Sequence, residues 1–310
     1  MDWKRAAKAA GRRPVGAFNK IFFTLYYSCY RLRQGRHLLQ PLEEPEPQRI
    51  LLMVPHVDDE IIGCGGLLVS LREKNCRVKC LYLTDGASSY NPQLGREELA
   101  RRRMEEGRRV AASLGLEPPE FLGLEDGKLS PARETVTMVR EELQKFRPEV
   151  VFLPSLLEGH RDHTVTAGLG LSALQEEGYE ADFPLYLYAV SSPLTPFAAN
   201  RYLPLQKELL LKEEALKIFQ SQTMPFEGLL SLDVCRRWAL PAEVRQKARG
   251  AEFFVRSTLG EYSTVYREYG GEIYGSFKPM SSPYFLVRDF FSGWKLKKEV
   301  GKKLAGGNPL

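Results

Sequence analysis

Two short, unbroken apolar runs, Ile50 to Val54 and Val150 to Leu153, constrain the fold more than any other feature. Each is too short for a buried helix and each is closed by proline, so each reads as a strand buried on both faces. Between and after them the pattern alternates. Residues 49–54 read as a strand, 59–73 as a helix, 77–83 as a strand, and 93–114 as a charged helix ending at Gly115. A short edge segment lies near Phe121-Leu122, followed by helix 133–146, strand 149–153, helix 163–177 and strand 183–190. Strand and helix in strict alternation predict an α/β fold: a Rossmann-like open, mostly parallel sheet with helices on both faces.

Both apolar runs lead into histidine and carboxylate. His56-Val57-Asp58-Asp59-Glu60 follows the first, and His160-Arg161-Asp162-His163 follows the second. The fourth histidine, His37, lies in a basic flank. Ligands of open α/β sheets bind beyond the carboxyl ends of strands where the strand order reverses. If the two strands are neighbours there, the two clusters converge. Imidazole and carboxylate gathered at one place match what a catalytic zinc takes from a protein, about three ligands with one position left open. Gly63, Gly65 and Gly66 let the helix after the first cluster approach the sheet closely. They are a weak nucleotide signature, because they follow an acidic run.

Charge divides the chain. Residues 1 to 36 carry nine Lys or Arg against one Asp, and residues 288 to 310 carry six against two, so the stretch between them is acidic although the whole is +5. A nucleic-acid enzyme would carry basic charge around its site, so no nucleic-acid partner is expected. The basic ends are mixed with aromatics: Phe18, Phe22, Phe23, Tyr26, Tyr27 and Tyr30 at one end, Phe290, Phe291 and Trp294 at the other. Two readings fit. The ends associate peripherally with an anionic membrane, or they pack on the body with their lysines solvated. Ile21 to Tyr30 is far short of the roughly 20 apolar residues that span a bilayer, and it lacks a signal-peptide cleavage site. The five cysteines, odd in number and without CxxC spacing, suit a reducing compartment, and the expected location is the cytoplasm. The Pro/Glu segment Gln40 to Pro47 reads as a linker. The expected organisation is therefore a basic aromatic arm with linker over 1–48, a catalytic domain over 49–256, and a C-terminal extension over 257–310, partly packed on the domain and basic at its end.

The motifs resemble those of a known family. Pro55-His56-Val57-Asp58-Asp59-Glu60 looks like the P-H-P-D-D-E signature of the PIG-L (LmbE-like) zinc deacetylases, and His160-Arg161-Asp162-His163 looks like their H-P-D-H. Weaker echoes follow in order over about residues 48 to 256: Thr84-Asp85-Gly86; Arg103 with Glu106; Leu122 to Gly127; Lys212, Ala215, Leu216, Ser221 and Gln222; and Ala251-Glu252-Phe253-Phe254. Valine and arginine replace the two family prolines, at positions that supply no metal atom.

The resemblance implies hydrolysis of the acetamide of an N-acetylglucosamine-type sugar conjugate or glycolipid, giving acetate and a free amine. It implies His56, Asp59 and His163 as ligands of Zn2+, with Fe2+ able to use the same atoms. Asp58 then stands as general base, and His160, held by Asp162, as the group that stabilises the oxyanion or protonates the leaving amine. Arg103, Asp126 and Arg161 are candidate substrate contacts, Arg161 for an anionic substituent. Each residue also has a plainer reading. Asp58, Asp59 and Glu60 suit a first helical turn, Arg103 a solvated charged face, Asp85 and Asp126 turns. Three other function classes remain in view. An amidase acting on a non-sugar conjugate would use the same site. A magnesium phosphoryl-transfer enzyme is disfavoured by three histidines. A non-catalytic sugar- or lipid-binding module would not need Asp58.

Overall fold

The computed structural model describes residues 3–33, 39–43, 48–88, 91, 93–222, 226–271, 273, 275–278 and 286–305. His37 and residues 44–47 of the linker lie outside them. In chain order the elements begin with α1 (Trp3–Arg33), β1 (Gln40–Pro41), β2 (Arg49–Val54), α2 (Asp59–Arg72), β3 (Arg77–Thr84), α3 (Arg96–Leu114) and β4 (Glu120–Leu124). Then come α4 (Arg133–Phe146), β5 (Val150–Pro154), α5 (Arg161–Glu176), β6 (Pro184–Tyr188), β7 (Arg201–Leu205), α6 (Lys207–Leu216) and α7 (Glu227–Arg236). The chain ends with α8 (Ala242–Lys247), β8 (Gly250–Thr258), α9 (Leu259–Tyr269), α10 (Leu286–Phe290) and α11 (Trp294–Leu304).

The eight strands form one sheet in the order β1-β7-β8-β6-β5-β2-β3-β4. The five from β4 to β6 are parallel, and β8 runs antiparallel to both β6 and β7. The chain steps from β2 to β3 and β4 in one direction and from β5 to β6 in the other. Strand order therefore reverses between β2 and β5, which pair directly through Ile50 with Val150, Leu51 with Val151 and Leu52 with Phe152. The two apolar runs are thus the central strands, and both histidine loops leave the same edge of the sheet side by side.

Side chains alternate across these strands, as a sheet covered on both faces requires. Leu51, Met53, Leu81, Val151 and Leu153 join one core with α4, α5 and α9, while Leu52, Val54, Cys80, Tyr82 and Phe152 join the other with α2 and α6. Helix α2 is buried on nearly every side, and its glycines make that seat available. A Cβ on Gly63 would collide with the Tyr188 ring, and one on Gly66 with Leu205.

The ends of the chain are built into this body. Phe23 and Tyr27 of α1 are buried. Phe23 lies 5.1 Å from Phe290, Tyr26 6.3 Å from Trp294 and Tyr27 6.0 Å from Phe253, ring centre to ring centre. Most of the aromatic residues at both ends therefore pack on one another. The Pro/Glu linker also enters the sheet: Gln40 and Pro41 pair with Arg201 and Tyr202, because Leu39 and Leu42 on either side of them are buried. The expected boundary at residue 256 falls inside β8. Beyond it, Leu259 and Tyr262 of α9 are buried, and the Tyr262 hydroxyl donates to the Pro154 carbonyl at 2.8 Å.

Candidate active site

The β2–α2 loop carries Asp58 at φ 116°, ψ −24°, a left-handed conformation that costs a non-glycine residue. The surroundings hold it there. The Asp58 N–H donates to Glu60 Oε2 at 2.9 Å, and its carbonyl accepts from Ile61 and Ile62 at 3.1 and 3.0 Å. The preceding Val57 carbonyl accepts from Arg103 Nη1 at 3.3 Å. Arg103, 1% exposed, lies wholly beneath the loop, and Nη1 is 3.9 Å from Asp58 Oδ2. The Asp58 carboxylate also accepts from the Gln222 side-chain amide. That glutamine is brought in by Ser221, whose N–H and hydroxyl donate to Glu106 of α3 at 2.8 and 2.6 Å. Burial, followed by repulsion from Asp59, holds the Asp58 carboxyl well above the usual carboxylate range.

Asp59 opens α2 and turns toward both histidine loops. Its Oδ2 accepts the His56 N–H at 3.0 Å, lies 3.1 Å from His56 Nδ1, and lies 3.2 Å from His163 Nε2. Burial alone would raise this carboxyl, but His163 and His56 bring it well below its ordinary value. Helix α5 begins at Arg161, two residues earlier than its sequence pattern predicts, because His160 caps it: Nδ1 accepts the Asp162 N–H at 3.2 Å. His163 consequently sits in the first turn. Burial opposes its protonation, yet Asp59 and Glu158 push it up to about 10.

Asp162 departs from expectation. Its carboxylate does not bond the His160 ring, because the cap turns that ring onto the Asp162 backbone instead. Oδ2 accepts the Gly127 N–H at 2.7 Å and stands 3.3 Å from His56 Nε2, and Oδ1 is buried without a hydrogen-bond partner. Asp126 shares that side of His56, its Oδ1 3.1 Å from Nε2 and its Oδ2 accepting the Ser88 N–H at 3.0 Å. Arg161 is exposed at the rim, with Nη1 on the Leu129 carbonyl at 2.7 Å. Asp85 is a turn-and-loop residue: its carboxylate accepts from the Ala87 and Asp126 N–H groups and pairs with Arg96 at 2.8 Å.

One residue of the site was not singled out from sequence. Glu158, 2% exposed, accepts the N–H groups of Val190, Ser191 and Ser192 and the Ser191 hydroxyl, and lies 3.4 Å from His163 Nδ1. The cradle also explains why β6 stops at Tyr188 rather than running to 190: the next amides point at Glu158. An acidic residue two positions before His160, on a loop leaving a buried strand, was the available signal.

The donors fit a divalent cation. Nitrogens of His56, His160 and His163 lie within 4.8 Å of one another, as do donor atoms of His56, Asp126, His160 and Asp162. The carboxylates here favour positive charge strongly enough to raise both His56 and His163 against their burial. A field that retains a buried proton also favours a metal ion among the same atoms.

Residues 51–174 match the family model described as PIG-L: GlcNAc-PI de-N-acetylase. The diacetylchitobiose deacetylase of Thermococcus kodakarensis is 34% identical over 143 residues, 44% of this chain and 54% of the relative. The chain thus spans about half the length of that curated relative. Among solved structures, the N,N'-diacetylchitobiose deacetylase from Pyrococcus horikoshii aligns with a TM-score of 0.54 at 22% identity, over 69% of this chain and 85% of its own. The conserved protein TT1542 from Thermus thermophilus aligns at 0.54 and 25%, over 67% and 93%. The 4-carboxy-2-hydroxymuconate hydratase from Pseudomonas putida aligns at 0.55 and 17%, over 67% and 95%. A hydratase on this fold means that the fold by itself does not choose the reaction. The stretch matched by the family model holds both histidine loops and the central strands that carry them.

Proposed function

We propose that this protein is a metal-dependent deacetylase that hydrolyses the acetamide of an N-acetylglucosamine-type sugar conjugate or glycolipid, releasing acetate and a free amine. The observation that carries the reading is the placement of Asp58. It is a buried carboxylate held by Gln222, beside Asp59, which bridges His56 and His163 at the switch point. Deacetylase activity in a 34% identical relative supports the same reaction class.

His56, Asp59 and His163 offer two imidazoles and a carboxylate, a set that suits zinc and that iron(II) also accepts. Bound there, the ion supplies Lewis acidity, making water a nucleophile near neutral pH and polarising a carbonyl. The chain supplies the rest. Asp58 takes the proton of the attacking water. Because His160 Nδ1 accepts the Asp162 N–H, the neutral ring carries its proton on Nε2. From there it donates to the oxyanion that forms on the acetamide carbonyl carbon. The C–N bond breaks as the amine nitrogen gains the proton that Asp58 took. Glu158 fixes the His163 ring from behind, and Asp126 and Asp162 do the same for His56. We assign Arg103 to holding Val57 and Asp58 rather than to the substrate, since it is enclosed beneath the loop. Asp126 borders the space in which a sugar hydroxyl would lie. Arg161, exposed at the rim, would meet an anionic substituent.

All five cysteines are free thiols, which agrees with a cytoplasmic location, and among the described residues no helix is long and apolar enough to cross a membrane. The reaction is tested by amine release from diacetylchitobiose and from N-acetylglucosaminyl conjugates, with wild type and Asp58→Asn side by side. Turnover by the wild type and near-abolition in the variant are expected. Equal turnover by both would overturn the reading.

A further inference from the structure

Helix α1 has two unlike sides. Asn19, Phe23 and Tyr27 are buried, and Phe22, Tyr26 and Tyr30 are half-buried in the aromatic cluster shared with α10 and α11. On the outer side, between Pro14 and Leu32, nine residues are exposed, and Lys20 is the only charged one. Phe18, Ile21, Leu25 and Leu32 stand 59%, 63%, 59% and 72% exposed. Their spacing keeps them on one stripe, about 21 Å long at the α-helical rise. Among the described residues only Leu210 and Leu211, on α6, are comparably exposed large apolar side chains. Along its whole length the sequence of α1 holds eight Lys or Arg and no Asp or Glu.

An exposed apolar stripe on a helix whose only charged residues are cationic suits a surface that is apolar within and anionic at its edge. A second copy of the chain suits it poorly, because two such helices face to face would oppose their positive charges with no acid to pair them. We propose that the outer face of α1 docks on an anionic lipid bilayer. The helix lies in the interface plane, with Phe18, Ile21, Leu25 and Leu32 at the acyl boundary and its lysines and arginines among the headgroups. Apart from Phe18, the aromatic residues of the two chain ends do not insert, since they are spent on one another. The proposal is independent of the reaction assigned to the site.

The test is co-sedimentation of the full chain with phosphatidylcholine vesicles, with and without phosphatidylserine, at low and high salt. Wild type is expected to partition onto the anionic vesicles and to be released by salt. The fourfold variant Phe18→Ser/Ile21→Ser/Leu25→Ser/Leu32→Ser is expected to lose about tenfold or more of that partitioning while keeping its melting temperature. A separate Leu25→Trp variant reads the same contact by a blue shift of its fluorescence on anionic vesicles. Wild type remaining in the supernatant, or equal partitioning of wild type and fourfold variant, would overturn the proposal. So would a wild-type dimer that the fourfold variant dissociates without either binding vesicles, which would make the stripe an interface between copies.

Discussion

At the scale of residues, the site is a set of carboxylates whose neighbours give them different tasks. Asp58 and Asp59 are adjacent in sequence, yet one is raised and the other lowered, because Asp59 faces two imidazoles while Asp58 faces Gln222 and a more distant Arg103. Asp58→Asn should therefore keep its metal and lose about 10²–10⁴-fold in turnover, checked by elemental analysis alongside amine release. His163→Ala should lose the metal outright. Glu158→Gln should keep the fold and weaken metal affinity by about 10–100-fold, the usual effect of removing a carboxylate behind a histidine ligand. A chelator competition titration separates these two variants, and an unchanged affinity in Glu158→Gln would mean that the cradle serves only the 190–192 loop. Sequence made the histidines and Asp58 legible because their spacing is local. Glu158 and Gln222 were not legible as site residues, because each reaches the site through a contact made by a different loop.

At the scale of elements, helix α2 is held where a buried charge network meets it. Glu252 of β8 accepts the Gly66 and Leu67 N–H groups at 2.8 and 2.9 Å. Lys212 of α6 donates to the Ile62 carbonyl, Glu252 and Asp233 at 2.8 Å each. Lys212→Met leaves buried Glu252 without its cation and Asp233 with Arg236 alone, and should destabilise by about 3–5 kcal/mol, measured by denaturant unfolding. Adding Glu252→Gln and Asp233→Asn should recover part of the loss. The sequence placed Lys212 and Glu252 within motifs but did not reveal that they meet, since that depends on β8 running antiparallel beside β6. A second element-scale expectation concerns α11. Burial lowers Lys297 from 10.5 to about 8, although its ammonium donates to the Phe290 carbonyl at 2.8 Å. Between those two values the unfolded chain holds a proton that the folded chain has released, so this group adds stability as pH rises. The unfolding free energy of wild type relative to Lys297→Met should climb from pH 8 to pH 10. A flat difference would mean that the amine is solvated in the folded protein.

At the scale of the whole molecule, both chain ends belong to the fold. Deleting residues 1–36 would uncover Phe253, Phe290 and the seat of Tyr27, so the melting temperature should fall and dye-accessible apolar surface should appear, whereas the exposed-stripe variants should change neither. That contrast decides whether α1 is a packed element or an appendage. Strand–helix alternation, the two central strands and the convergence of the histidine loops could be read from the chain, because buried parallel strands must be continuously apolar and ligands gather at strand carboxyl ends. The chain alone left open whether the basic aromatic ends stand free or pack. Composition is the same in either case, and only tertiary contact sorts Phe23 and Tyr27 inward from Phe18 and Leu25 outward. Tertiary structure also turned Asp162 from His160 to His56 and enclosed Arg103 beneath the β2–α2 loop, where a substrate contact or a solvated face was expected. Side-chain direction at a loop follows from the backbone around it, at Asp58 a left-handed residue and at His160 a helix cap. Residue type and spacing do not encode that direction until the neighbouring elements have closed on it.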